Sequence, residues 1–173
     1  MANVNNPHGF RPLMRSLTGG PGAANLGAHK IVGVTAHALF NGDAVTLNGS
    51  GTKNNASIKA AAASDPPYGV NLIYGAASKA TDHIIIPWIF QLFEVQIDTL
   101  TAAQLQMNAA LVATDGSATT GLSAHTLNGI ATTNTLEFKC LALYESQDNA
   151  VGAYARVIVT LNQAQLQDQI AGV

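Results

Sequence analysis

Five histidines, one cysteine and a thin set of acids are the groups that could carry chemistry in this 173-residue chain. The histidines are His8, His29, His37, His83 and His125, and no two of them flank a glutamate at the spacing of a zinc protease. His29 and His37 would share a strand face, but about 26 Å of extended chain separates them, too far for one metal. Neither a metal nor any other cofactor is expected. Cys140, the single cysteine, sits near Phe138 and Leu141 in a strand-like run and reads as a small buried hydrophobe with no internal disulfide. Asp115-Gly116-Ser117 and His125 can be drawn as a triad on paper, yet the chain has no Gly-x-Ser-x-Gly elbow. Gly19-Gly20-Pro21-Gly22 lacks the Lys-Ser/Thr and the strand–turn–helix setting of a phosphate loop. Only three glutamates are available for paired-carboxylate hydrolysis. These groups do not converge on a catalytic cluster, and the expectation is a protein that is not an enzyme.

The elements that would have to position such groups are short strands. Residues 1–28 contain Pro7, Gly9, Pro12, Gly19, Gly20, Pro21, Gly22 and Gly27, which break any helix. They read as an extended arm with Phe10, Leu13, Met14 and Leu17 as apolar anchors, able to span up to roughly 90 Å. From His29 onward, β-like runs alternate with turn signals. Asn41-Gly42 predicts a hairpin between 29–40 and 44–48, and Asn128-Gly129 another between 121–127 and 130–135. Further strands are expected at 56–61, 70–74 and 84–97, with Asp65-Pro66-Pro67-Tyr68-Gly69 as a turn and Pro87 marking an edge or a bend. Ala102, Leu105, Ala109 and Val112 follow Thr101 at helical spacing, so 100–112 is the helix candidate. The clearest strands are 136–144 and 151–161, joined across Gln147-Asp148-Asn149. The predicted fold is all-β: a β-barrel or β-sandwich body over 29–173 carrying an extended N-terminal arm, with at most one or two short helices.

Composition narrows the partners. Charged residues make up 10% of the chain, against roughly 25% in ordinary soluble domains. So few hydrated groups favour a surface covered by other chains. Residues 1–42 hold three cations and no acid, whereas 43–173 hold five cations and all ten acids. Three charges are too few for a nucleic-acid footprint. The most apolar stretch, 84–95, contains Pro87, Gln91 and Glu94, so no membrane span is expected. The N-terminus has no secretory pattern, which fits synthesis in a reducing cytoplasm. Between Thr99 and Leu136 the only formally charged residue is Asp115, and that bland stretch reads as a subunit contact. Phe90 and Phe93 read as core. Trp88, beside Pro87, is either core or an interface anchor.

Two segments carry a family likeness. Asn6-Pro7-His8-Gly9-Phe10-Arg11-Pro12 resembles the opening of small tailed-phage virion proteins encoded beside the major capsid protein. Asp148-Asn149-Ala150-Val151-Gly152-Ala153-Tyr154-Ala155-Arg156-Val157-Ile158-Val159 is similar to their last strand. Pieces at 93–98, 108–112 and 120–123 fall in the same order, so the likeness covers most of 6–161. It implies a capsid decoration, or cement, protein on a shell of HK97-fold major capsid protein, typically trimeric and placed at three-fold or quasi-three-fold positions. The implied location is the capsid surface of the virion. The implied contacts of the arm are Pro7, Phe10, Arg11, Pro12, Leu13, Met14 and Arg15, with Trp88 as a further anchor. Another minor virion component, or a ligand-binding or hydrolytic β-barrel, stays open as an alternative.

Overall fold

The computed structural model describes residues 3–16, 29–34, 37–47, 58–87 and 91–162. Eleven strands are described: β1 Arg11–Ser16, β2 His29–Val34, β3 Ala44–Leu47, β4 Ile58–Ala60, β5 Gly69–Asn71, β6 Ala80–Pro87, β7 Gln91–Gln96, β8 Asn108–Val112, β9 Thr126–Ala131, β10 Phe138–Leu143 and β11 Arg156–Leu161. They form two antiparallel sheets, one ordered β1-β7-β11-β10-β8-β9 and the other β2-β6-β5-β3-β4. The fold is all-β, as predicted.

Alternation along the strands explains the layers. In β7, Phe93 and Val95 point into the main core, as do Val157 and Val159 of β11 and Phe138 and Cys140 of β10. Ala44, Val70 and Ile86 of the second sheet join the same core. The other face of that second sheet buries Ile31, Val45, Ile58 and Ile85 around Leu39. Cover on both faces accounts for Ile85 and Ile86, adjacent in β6 and buried on opposite faces, whereas Ile84 is 38% exposed. Pro87 falls at the end of β6, opposite Gly69, and the 84–97 run divides there between the two sheets.

Several expectations change. Residues 3–16 are not an appendage: β1 pairs with β7, and Phe10 is 1% exposed, stacked on Phe138 with ring centroids 4.8 Å apart. An apolar ring this large gains more from its own core than from waiting for a partner. Asn41-Gly42 does turn the chain, but β2 pairs with β6 rather than β3. The reason is local: the Asp43 carboxylate accepts the Phe40 N–H at 2.8 Å, and Gly42 N–H donates to Asn71 O, so the turn redirects the chain instead of closing a ladder. Asn128-Gly129 lies inside β9, where pairing with β8 slips by one residue between Asn108 and Ala110. Gly129, at φ +59°, supplies the left-handed residue of a bulge. The helix candidate is a single 3-10 turn, Ala102–Gln104, followed by β8. Gln106 at φ +69° stops the turn, and the apolar residues at helical spacing serve the alternation of β8, which buries Ala109 and Leu111.

Candidate functional site

The two segments that carry the family likeness meet in space. Asn3 reaches the loop before β11: its amide donates to Ala150 O at 2.8 Å and Ala153 O at 2.7 Å, and its oxygen accepts the Ala150 N–H. Asn5 and Asn6 then bracket Gln96, whose side chain donates to Asn5 Oδ1 and accepts the Asn6 N–H, both at 2.9 Å. His8 follows, over Glu94. Because Glu94 and Gln96 alternate with the core residues Phe93 and Val95, they point away from the core, yet they are only 5% and 2% exposed. Gly9 completes the path at φ +69°, where a Cβ would lie 2.4 Å from Gly42 O and 2.5 Å from the Ser123 Cβ.

Between these segments lies a cleft of about 130 Å³, lined by Asn3, Val4, Asn6, His8, Arg11, Gln96, Asp148, Tyr154 and Arg156. Its ionisable groups form a chain. His8 Nε2 is 3.8 Å from Glu94 Oε1, Glu94 Oε1 is 3.4 Å from Arg156 Nη1, and Arg156 Nη2 pairs with Asp148. Arg156 also lies 5.5 Å over the Tyr144 ring. The Asn149 amide closes the β10–β11 loop, donating to Tyr144 O and Arg156 O while accepting the Arg156 N–H. Asp148 is held below the usual carboxylate range, first by the Ser146 hydroxyl and also by Arg156. Burial lowers His8 from 6.5 to about 4, aided by the positive charges of Arg11 and Arg156.

The rim is apolar and strained. Val4 and Tyr154, which line the cleft, are 77% and 38% exposed, and Val151, in the loop that leads to Tyr154, is 46% exposed. Tyr154 has φ +56°, a left-handed conformation that costs a bulky residue on the order of 1–3 kcal/mol. Its N–H donates to Asp98 O, and Thr99 bridges Ala153, so the surrounding loop fixes that conformation and presents the ring outward.

A second polar group is sealed inside. Asp43, Ser123 and His125 are 2%, 1% and 3% exposed. His125 Nδ1 accepts the Ala44 N–H at 3.2 Å, so its proton sits on Nε2, 3.5 Å from Asp43 Oδ1. His125 Nδ1 is occupied by the Ala44 N–H and the ring is sealed beside Asp43, whereas Ser117 is exposed and accepts the Thr120 N–H through its hydroxyl. The structure does not assemble the paper triad. Burial raises Asp43 and lowers His125, which favours the neutral form of each. His83 likewise stays neutral, lowered by burial, with Nδ1 on Asn71 Oδ1 at 3.2 Å. Cys140 is in the core, its thiol pushed up to about 11 by burial. Among the described residues, no three metal-ligating side chains group together, and no helix is long and apolar enough to cross a membrane.

Of the residues expected to contact a capsid, Pro7 is half-buried beside the cleft, Arg11 is exposed and lines it, and Pro12 is exposed. Leu13 is half-buried and its carbonyl accepts from Gln91. Phe10 belongs to the protein's own core, which corrects its assignment as a contact. Met14 and Arg15 lie in β1, but their side chains, like all of Trp88 and Phe90, fall outside the described residues. Sequence reasoning missed Glu94, Gln96, Asp148 and Tyr154. Glu94 and Gln96, polar positions alternating with buried apolar ones, gave the only signal. It also missed Glu137, buried at 2% exposure, which accepts the N–H groups of Ser64 and Leu111. These features define an all-β protein of two packed antiparallel sheets with a polar cleft where residues 3–11 meet β7 and the start of β11. No protein-family model, curated protein or solved structure matches the chain.

Proposed function

We propose that this chain is a structural virion protein, a decoration (cement) protein that binds the major capsid protein shell of a tailed phage as a homotrimer and stabilises it against internal DNA pressure. The observation that supports this reading most is spatial. The two segments resembling such proteins, about 140 residues apart, fold into one corner, with exposed Val4 and Tyr154 at an arginine-bearing cleft and exposed Val151 in the adjoining loop. Tyrosine and arginine beside aliphatic side chains are the composition of an interface centre. A surface with 10% charged residues has few ions to desolvate when it is covered. The role is mechanical: each subunit holds a junction between capsid proteins, and linked subunits gain avidity.

The experiment is co-sedimentation with phage heads lacking the protein, followed by heating. Attachment in hundreds of copies and a higher rupture temperature are expected. About a dozen copies per head would point instead to a connector or tail part, and unchanged rupture would remove the stabilising role.

A further inference from the structure

At the start of β3, an imidazole takes the place of a neighbouring strand's carbonyl. Within a strand, one residue's N–H and C=O point to the same side. On that side of Ala44, the carbonyl accepts the Ala61 N–H at 2.8 Å, as a ladder requires. The N–H beside it donates instead to His125 Nδ1 at 3.2 Å. His125 comes from just before β9, in the other sheet, so this bond joins the two sheets. Around it, the Asn41 N–H donates to Gly121 O and the Ser123 N–H to Asn41 O, both at 2.9 Å. The Ser123 hydroxyl accepts the His125 N–H at 3.0 Å. Residues 121–125 are thereby strapped to residues 41–44.

The two kinds of acceptor differ in one respect. A carbonyl oxygen stays an acceptor throughout the range in which proteins are folded, whereas an imidazole nitrogen becomes a donor when it takes a proton. His125 already carries its neutral proton on Nε2, 3.5 Å from Asp43 Oδ1, so a second proton can go only to Nδ1. There it would confront the Ala44 N–H, two donors head to head around a ring that is 3% exposed. Ring and amide cannot both stay in place. The acids that act on the ring are Asp43, from the turn before β3, and Asp115, from the loop after β8. Both favour the charged ring, and burial outweighs them, holding His125 below 6.5.

We propose that His125 is a proton-operated latch: a proton taken up at Nδ1 releases residues 121–125 from residues 41–44 while the strands of the main core stay paired. What opening uncovers is apolar. A Cβ at Gly116 would lie 2.5 Å from the Phe40 ring, and Leu122 bridges both Asn41 and Ser117, so the 116–122 loop covers Phe40, which is 6% exposed. The closed form refuses a proton that the open chain accepts at about 6.5, so closure is fully favoured above that pH and loses ground below it. Asp43, raised by burial, keeps its own proton better in the closed form and opposes opening. The latch needs no partner and is independent of the docking role.

The test is backbone hydrogen exchange of the full chain, corrected for the intrinsic effect of pH on exchange, in the unmodified protein and in His125→Asn. The asparagine oxygen can take the place of Nδ1 and accept the Ala44 N–H, but it binds no proton. Between pH 7 and pH 5.5, opening at the Asn41, Ala44 and Ser123 amides should rise up to about eightfold more in the unmodified protein than in the variant. Asp43 is present in both, so its opposing effect cancels in the ratio. At pH 5.5 these amides should also open at least about tenfold more often than those of Val157 and Val159 in β11. An equal rise in both proteins would overturn the proposal, because His125 would not be the titrating group. Opening no more frequent than in β11 would overturn it too, because only global unfolding would admit the proton. Should the variant not fold, the ring ¹⁵N shifts of His125 in the unmodified protein decide. Nδ1 unprotonated and Nε2 protonated at pH 7 supports the latch, and the opposite tautomer or a charged ring sinks it.

Discussion

Gly9 and Gly129 both have left-handed backbone, at φ +69° and +59°, but their surroundings differ. A Cβ at Gly9 would collide with Gly42 O and with Ser123, whereas at Gly129 the nearest atom is the Ala110 Cβ at 3.9 Å. Gly129→Ala should therefore cost only the conformational penalty, about 1 kcal/mol. Gly9→Ala adds overpacking against backbone and should cost about 3 kcal/mol. Urea unfolding of the two variants checks the difference, and equal losses would mean that the Gly9 contact yields freely. The histidines set a pH dependence. His8 is at about 4 in the folded protein and 6.5 when free, so the unfolded chain takes up the proton first as pH falls. Stability from this group is complete above pH 6.5 and declines down to pH 4, by up to about 3 kcal/mol. His83 and His125, also lowered by burial, act in the same sense. Asp43, raised by burial, acts in the opposite one, because the unfolded chain releases that proton first as pH rises past 3.8. The melting temperature should fall between pH 7 and pH 4.5, and less steeply in His8→Phe. An identical slope in that variant would show that His8 is not held neutral.

Among the elements, β1 has the most to reveal, because sequence and structure assign it different duties. As an arm, it could be removed with little effect on the body. As the strand that pairs with β7 and delivers Phe10 onto Phe138, it is part of the core. Phe10→Ala should cost about 3–5 kcal/mol, and removal of residues 1–16 should prevent cooperative unfolding altogether. A truncated chain melting within a few degrees of the full one would restore the arm reading. The strands expected at 136–144 and 151–161 were legible because they pair with each other as neighbours in sequence. The second begins only at Arg156, since 151–155 is loop, and β10 slips register between Cys140 and Ala142. β8 and β9 were not legible. Five residues of a strand offer too few positions to separate a period of two from one of 3.6, and Asn-Gly suits a bulge as well as a hairpin.

For the molecule as a whole, the exposed corner makes a separable prediction. Val151 is 46% exposed and outside any strand, so Val151→Lys should change stability by no more than about 0.5 kcal/mol. If this corner is the docking face, the same change should weaken attachment to heads at least about tenfold, because it puts a charge at the centre of a desolvated contact. Tight attachment by Val151→Lys would move the docking face elsewhere on the surface. Light scattering of the purified chain tests the trimer directly.

Composition and alternation reach some of these properties without coordinates. Scarcity of charge, the lack of any catalytic spacing and the period-two runs follow from residue types and their nearest neighbours, so a linear reading recovers the all-β class. Partner choice among strands does not. β2 passes over its neighbour β3 to pair with β6, and the run 84–97 is shared between two sheets. The cleft depends on the same long-range choice. His8 is held neutral by burial and by the charges of Arg11 and Arg156, and that burial depends on which distant strands close over it.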